Sequence, residues 1–307
     1  AHDPAPMSAA PLALSRAAFF TLLLTACLFG ANHVAARAAF NHGLDVASAV
    51  AVRSLVTALI VGLIVWRQRV PRALTPRQRG FVLLIALLVA VQSLCLYAAV
   101  ARLPVALALL TFNTYPLWTA LFARLLYRHR PERAVLLAMP VLLAGLALAL
   151  DALGAASGLG AAGQWSRIGA GVALATVAAA VFGAALVLTQ HEAAGIDGRW
   201  RTTLTMGLVG LLALLAVQAQ GGFHWPDAAV GWWGLAGLTL FYGTAFTIMF
   251  TLLPRLGVVG SSPIMNVEPV AALVLAWALL GQAIAPMQVL GALIVVGAVM
   301  ALGLRKR

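Results

Sequence analysis

Charge is what this chain has least of. Only 9 % of its 307 residues are charged, and acidic ones are the scarcest, with 8 Asp and Glu against 20 Lys and Arg. A soluble domain carries about 25 % charged residues, so a wetted surface around a buried core is excluded. Disorder is excluded too, because it needs low hydrophobicity and 63 % of these residues are hydrophobic. Cysteine is nearly missing: Cys27 and Cys95 both fall in apolar segments and offer neither a disulfide framework nor zinc spacing, so they read as packing thiols. A Walker Gly-Lys-Ser/Thr, a His-Glu-x-x-His and a carboxylate dyad are all lacking, which leaves an enzyme without support. No cofactor and no metal is expected.

Long apolar runs are what the chain has instead, with a mean hydropathy of +1.00. About 20 apolar residues cross the hydrocarbon layer as a helix. That ruler yields candidates at 17–37, 46–66, 81–101, 105–126, 135–153, 168–190, 202–219, 229–252, 257–280 and 286–304. The fold expected is an all-α integral membrane protein with ten transmembrane helices. Residues 1–15, rich in Ala and Pro, read as a disordered tail, and no remaining stretch is long enough for a separate soluble domain. Trp66, Trp200, Trp225, Trp232 and Trp233 lie near span ends, where aromatic residues anchor in the interface.

A net charge of +12 would point to nucleic acid in a soluble chain. Here the basic residues sit between apolar runs and act as topology signals, so membrane lipid rather than nucleic acid is the expected partner. With the N-terminus inside, one side holds Arg16, Arg67, Arg69, Arg72, Arg77, Arg79, Arg124, Arg128, Arg130, Arg133, Arg199, Arg201, Arg255, Arg305, Lys306 and Arg307. The other side and the outer helix halves keep Arg37, Arg53, Arg102 and Arg167, so the balance is 16 to 4. Both termini, including the basic 305–307, are expected in the cytoplasm of a cell whose inner membrane the chain spans.

Sliding the chain on itself by 153 residues sets Ala26, Phe29, Gly30 and Ala31 on Ala179, Phe182, Gly183 and Ala184. The same offset sets Tyr97 on Phe250, Arg102 on Arg255, and Asn113-x-x-Pro116 on Asn266-x-x-Pro269. Arg and Asn-x-x-Pro are rare in this composition, so a gapless common offset marks a repeat. The halves are 16–153 and 168–304, joined by a linker loop at 154–167. Five spans per half is an odd number, so the second half enters from the opposite side. Inverted repeats are the architecture of alternating-access transporters.

Phe29-Gly30-Ala31-Asn32-His33-Val34-Ala35-Ala36-Arg37, Arg53-Ser54-Leu55, Asn113-Thr114-Tyr115-Pro116 and Glu268-Pro269-Val270 resemble the helix signatures of EamA-type transporters. That family belongs to the drug/metabolite transporter superfamily, and the resemblance runs from Arg16 to Leu304. It implies two inverted five-helix repeats, a cavity lined by spans 1, 3, 4, 6, 8 and 9, and export of amino acids or related metabolites. Multidrug or lipophilic-cation export, exchange and uptake are the alternatives within the fold. Proton coupling is conceivable, and a monomer is sufficient for function by this reading.

Polar groups within spans are costly and mark pathways. Glu268 is the only acidic side chain placed near mid-membrane; it is either a proton or ammonium site or the structural partner of Asn113 or His33. His33 shares a helical face with Gly30 and Arg37, whereas Asn32 points elsewhere, so at most one of the pair faces a cavity. Gln92, Tyr97, Asn113, Tyr115, Trp118, Tyr242 and Asn266 complete the candidate substrate site. Pro116 and Pro269 free carbonyls one turn back and are the candidate hinges. Gly30 and Gly183 are assigned to packing of the two helices that cross at the symmetry axis. Arg53 is placed within snorkelling reach of the interface, paired with Asp45 or facing a substrate carboxylate.

The orientation is directly testable. Green fluorescent protein fused after Arg307 is expected to fluoresce, and alkaline phosphatase there to be inactive. Insertion between the first two spans, at residues 41–45, is expected to reverse both signals.

Overall fold

The computed structural model describes residues 16–130, 133–248 and 268–303. These form eleven helices, and no strand occurs among them. The first half contributes α1 (Arg16–Phe40), α2 (Val46–Arg67), α3 (Pro76–Arg102), α4 (Val105–Phe112), α5 (Tyr115–Tyr127) and α6 (Arg133–Ala149). The second contributes α7 (Gly160–Glu192), α8 (Gly198–Ala219), α9 (Ala229–Thr247), α10 (Glu268–Leu280) and α11 (Pro286–Gly303). Six segments, with α4 and α5 taken as one, are long and apolar enough to cross a membrane, while α6, α10 and α11 contain shorter apolar stretches.

Helix ends follow local chemistry. Asp45 caps α2 by accepting the backbone N–H groups of Ala47 and Ser48. Burial opposes its charge, but hydrogen bonds from Ser48, Gln220 and the His224 amide outweigh that and hold the carboxyl below the usual carboxylate range. Thr75 and Gln78 form a reciprocal capping box at the start of α3, with Pro76 where its missing N–H costs nothing. Two boundaries differ from the hydropathy expectation. Helix α7 begins at Gly160, so part of the anticipated 154–167 loop is its first two turns. The 105–126 span is interrupted at Asn113–Thr114, because Pro116 has no N–H to give Phe112.

Alanine is prominent among the fully buried residues, beside leucines such as Leu22, Leu103 and Leu142. Ala26, Ala36, Ala49, Ala99, Ala108 and Ala178 are fully buried, while Leu59, Leu215, Leu240 and Leu279 stand outward, Leu59 being 72 % exposed. Hydrocarbon solvates leucine as well as a protein core does, so small residues take the inside, where they let backbones approach. Trp233 at the start of α9 is 78 % exposed, and Trp66 and Trp225 also face outward.

Packing respects the repeat. Helix α1 packs on α9 and α10, and correspondingly α7 packs on α3 and α5; α2 packs on α9 as α8 packs on α3. Helices α2 with α8, and α6 with α11, pair with their own counterparts. The glycines show the same relation in atomic detail. A Cβ at Gly30 would lie 3.1 Å from Ala272 N on α10, and one at Gly183 would lie 2.8 Å from Thr119 N on α5. Each pair is related to the other by the 153-residue offset. Gly30 and Gly183 thus sit where each first helix meets α10 or α5 of the other half, rather than where α1 and α7 cross.

Gly183→Val is expected to lower the thermal midpoint of the purified protein by several degrees, since the clash is with backbone of α5. Gly80→Ala, where nothing lies within 4 Å, is expected to leave it unchanged or slightly raised. A thermal melt followed by fluorescence checks both.

Candidate functional site

The contact at Gly30 places chemistry. Because α1 and α10 touch through backbone there, His33, one turn along α1, reaches the first residue of α10. Its Nε2 lies 3.5 Å from Glu268 Oε1, with side chains 7 % and 21 % exposed. That separation is too long for a short hydrogen bond, and the contact becomes an ion pair only when the imidazole carries a proton and the carboxyl does not. The pair joins a helix of the first half to one of the second.

Tyr97 of α3, completely buried, is the hub beside it. Its hydroxyl donates to Asn32 Oδ1 at 2.6 Å. Its ring meets the edges of His33 at 5.7 Å and Phe40 at 5.6 Å. Asn32 and His33 therefore both converge on Tyr97. The expectation that only one of them faces inward is corrected: α3 lies between their two directions and is wide enough to meet both.

Arg53 is the second correction. It is 3 % exposed, far from snorkelling, and Asp45 is engaged with the α2 cap, Gln220 and His224 instead. The guanidinium lies 4.6 Å from the Tyr97 ring centre and 3.8 Å from that of Tyr242, and its Nη2 donates to Ser93 Oγ at 3.0 Å. A buried charge must be paired or hydrogen-bonded; here two ring faces and one hydroxyl do that work. Among the described residues, no carboxylate lies within 4.0 Å of it. Five buried polar atoms in this region of α1, α2 and α9 make no hydrogen bond: Asn32 Nδ2, His33 Nδ1, Arg53 Nε, Ser54 Oγ and Thr239 Oγ1.

The remaining candidates are distributed around this network. Tyr242 donates to Met206 Sδ at 3.4 Å and stacks edge-on with Phe29. Gln92 touches the network only through a 3.4 Å contact from Ser93 Oγ. Asn113 turns back on its own helix, its Nδ2 donating to Leu109 O at the α4 break. Tyr115 packs with Phe112 and Phe182, and Trp118 lies under Gly183. Pro116 is the second residue of α5, and Pro269 is the second described residue of α10. Asn266 lies outside the described residues. Sequence reasoning missed Ser93, Ser54 and Thr239, whose single hydroxyls carry no signal in a hydropathy profile; a basic residue seven positions into an apolar run was the available sign for Arg53.

Two open clefts of about 360 and 190 Å³ run between α2 and α9, lined among others by Val52, Leu235, Thr239 and Leu240. Neither includes His33 or Glu268; Asn32, His33, Arg53, Tyr97 and Tyr242 are buried, and Glu268 is partly so. At the bundle end carrying Arg67, a further cluster closes α3, α5 and α7 together. There Arg77 and the Tyr127 hydroxyl both donate to Glu192, and Tyr127 stacks on His191 at 3.9 Å.

The model of the EamA-like transporter family matches residues 16–150 and again residues 169–304. The chain belongs to the EamA-like transporter family. Two matched segments, one per half, make it a two-repeat EamA protein, and the family's activity is movement of small molecules across membranes. Fifteen chains of solved structures are similar to it. One, titled "Crystal structure of protein", superposes with a TM-score of 0.61 at 19 % identity, over 93 % of this chain and 98 % of that one. At that identity the likeness shows the fold. No curated protein matches the chain.

Tyr97→Phe is expected to destabilise by about 1–3 kcal/mol, because Asn32 Oδ1 is left buried without its donor. Tyr97→Leu, which also removes a face from Arg53, is expected to cost more. The difference between the two thermal midpoints reads the contribution of the ring.

Proposed function

We propose that this protein is a secondary transporter that exports amino acids or related small metabolites by alternating access. It would span a bacterial-type inner membrane with ten helices in two inverted five-helix repeats, both termini in the cytoplasm. The observation that carries this reading is the largely buried polar network of Asn32, His33, Tyr97, Arg53, Tyr242 and Glu268 at the contact of the two halves. Burying such groups in an apolar bundle is expensive, and structural stability alone would be served better by alanine and leucine. Aromatic walls with a few charged groups suit a solute with an apolar side chain and a polar head.

The break at Asn113–Thr114 supplies the movement. A helix without continuous hydrogen bonds bends there at low cost, and Pro116 keeps it from closing. In this reading Asn113 and Tyr115 present backbone and side-chain groups to the solute when α5 tilts, and Pro269 and Asn266 act at the related place in the second half. Lacking a nucleotide-binding motif, the protein would draw its energy from a solute or ion gradient. Glu268 with His33 is the pair through which a proton could couple. The carboxylate also favours a second reading, export of organic cations, in which Glu268 holds the positive charge.

Counterflow in proteoliposomes separates these. Unlabelled amino acids are loaded inside and uptake of labelled ones is followed, with and without a pH gradient. Saturable exchange is expected, falling at least tenfold in Glu268→Ala and in Asn113→Leu. Exchange of lipophilic cations but of no amino acid, abolished by Glu268→Gln, would replace the first reading with the second.

A further inference from the structure

The surroundings of Arg53 are uneven in a way the fold does not require. Its guanidinium has ring faces on two sides and a hydroxyl at Nη2, but Nε is buried and makes no hydrogen bond. Asn32, bonded to the same Tyr97 through Oδ1, leaves its Nδ2 unused. Thr239, one turn from Tyr242 on α9, leaves its hydroxyl unused. An N–H of a guanidinium and an N–H of a carboxamide can only donate, and a hydroxyl can also donate. Buried donors without acceptors are costly, charged ones most of all. Arg53 Nε and Asn32 Nδ2, both donor-only, thus share a lack of acceptors, and the first belongs to a cation.

We infer that Arg53, with Asn32 and the rings of Tyr97 and Tyr242, forms an anion subsite that takes the carboxylate group of a small organic solute. A planar carboxylate matches the edge of a guanidinium and accepts from two donors at once. One guanidinium and neutral donors suit a single negative charge; a phosphate dianion would call for a second cation. The flat Tyr97 and Tyr242 faces supply apolar cover for the carbon next to the carboxylate. At the other end of the network stands Glu268, joined through His33 and Tyr97. A carboxylate at Arg53 and an ammonium toward Glu268 would match the two charges of a free amino acid. This last step rests on the transport reading; carboxylate binding does not.

The test uses the full chain in nanodiscs, with phenylacetate as the carboxylate probe and phenethylamine as its amine counterpart, at constant ionic strength set with NaCl. Phenylacetate is expected to raise the thermal midpoint saturably in the wild type and to bind at least tenfold more weakly to Arg53→Gln. Should Arg53→Gln fail to fold, Ser93→Asp serves, because it sets a carboxylate against Nη2 and fills the subsite internally; it too is expected to weaken phenylacetate at least tenfold. No rise beyond the NaCl control in the wild type, or equal binding to either variant, would overturn the subsite. Counterflow of labelled phenylalanine keeps the two readings apart. Phenylacetate binding without phenylalanine exchange rejects amino-acid transport and retains the subsite. Phenylalanine exchange undiminished in Arg53→Gln or Ser93→Asp rejects the subsite and retains transport.

Discussion

Close approach between helices of opposite halves is the constraint on which the rest of this structure depends. At Gly30 the backbone of α1 lies so near α10 that a methyl group would sit 3.0 Å from the Glu268 carbonyl. Lipid gives helices no hydrophobic reason to associate, so van der Waals contact at small residues and interhelical polar contacts must hold them. Both operate at this one crossing: glycine brings the helices together, and His33 meets Glu268 one turn along. Gly183 of α7, packed against α5, repeats the glycine contact in the other half, and the packing scheme maps onto itself when the halves are exchanged.

A bundle whose inside is mostly alanine, leucine and valine has little room for polar groups, and it nevertheless buries an arginine, a histidine, an asparagine and two tyrosines beside a partly buried glutamate. Their satisfaction is partial. Tyr97 carries most of it, bonding Asn32, edging His33 and covering Arg53, while Nε of Arg53 and Nδ2 of Asn32 stay without acceptors. A network built for stability alone would be complete. One left short of acceptors fits the proposed role of taking a solute group at the interface of the two halves.

The Arg77–Glu192–Tyr127 cluster and the α4–α5 break give this arrangement its mechanics. The cluster ties α3 and α5 of one half to α7 of the other at one end of the bundle. The break at Asn113–Thr114 separates the tied end of that span from α4, whose residues Val105 to Thr111 are buried.

By itself the sequence determined that the chain lies in a membrane, where most of its helices begin and end, and that it is built from two related halves. Those properties are additive or periodic along the chain: apolar length, proline and glycine punctuation, and residues recurring at one offset. The nearness of His33 to Glu268 was one of two pairings the residues allowed. Tertiary structure decided the rest. A helical face says which way a side chain points but not what meets it, and Tyr97 of α3 meets both Asn32, through its hydroxyl, and His33, through its ring. Depth along a span says how far a charge lies from the interface but not whether aromatic rings from α3 and α9 enclose it. Arg53 accordingly passed from an interfacial partner of Asp45 to the buried centre of the site, because what satisfies a charge in an apolar bundle is set by residues distant in sequence.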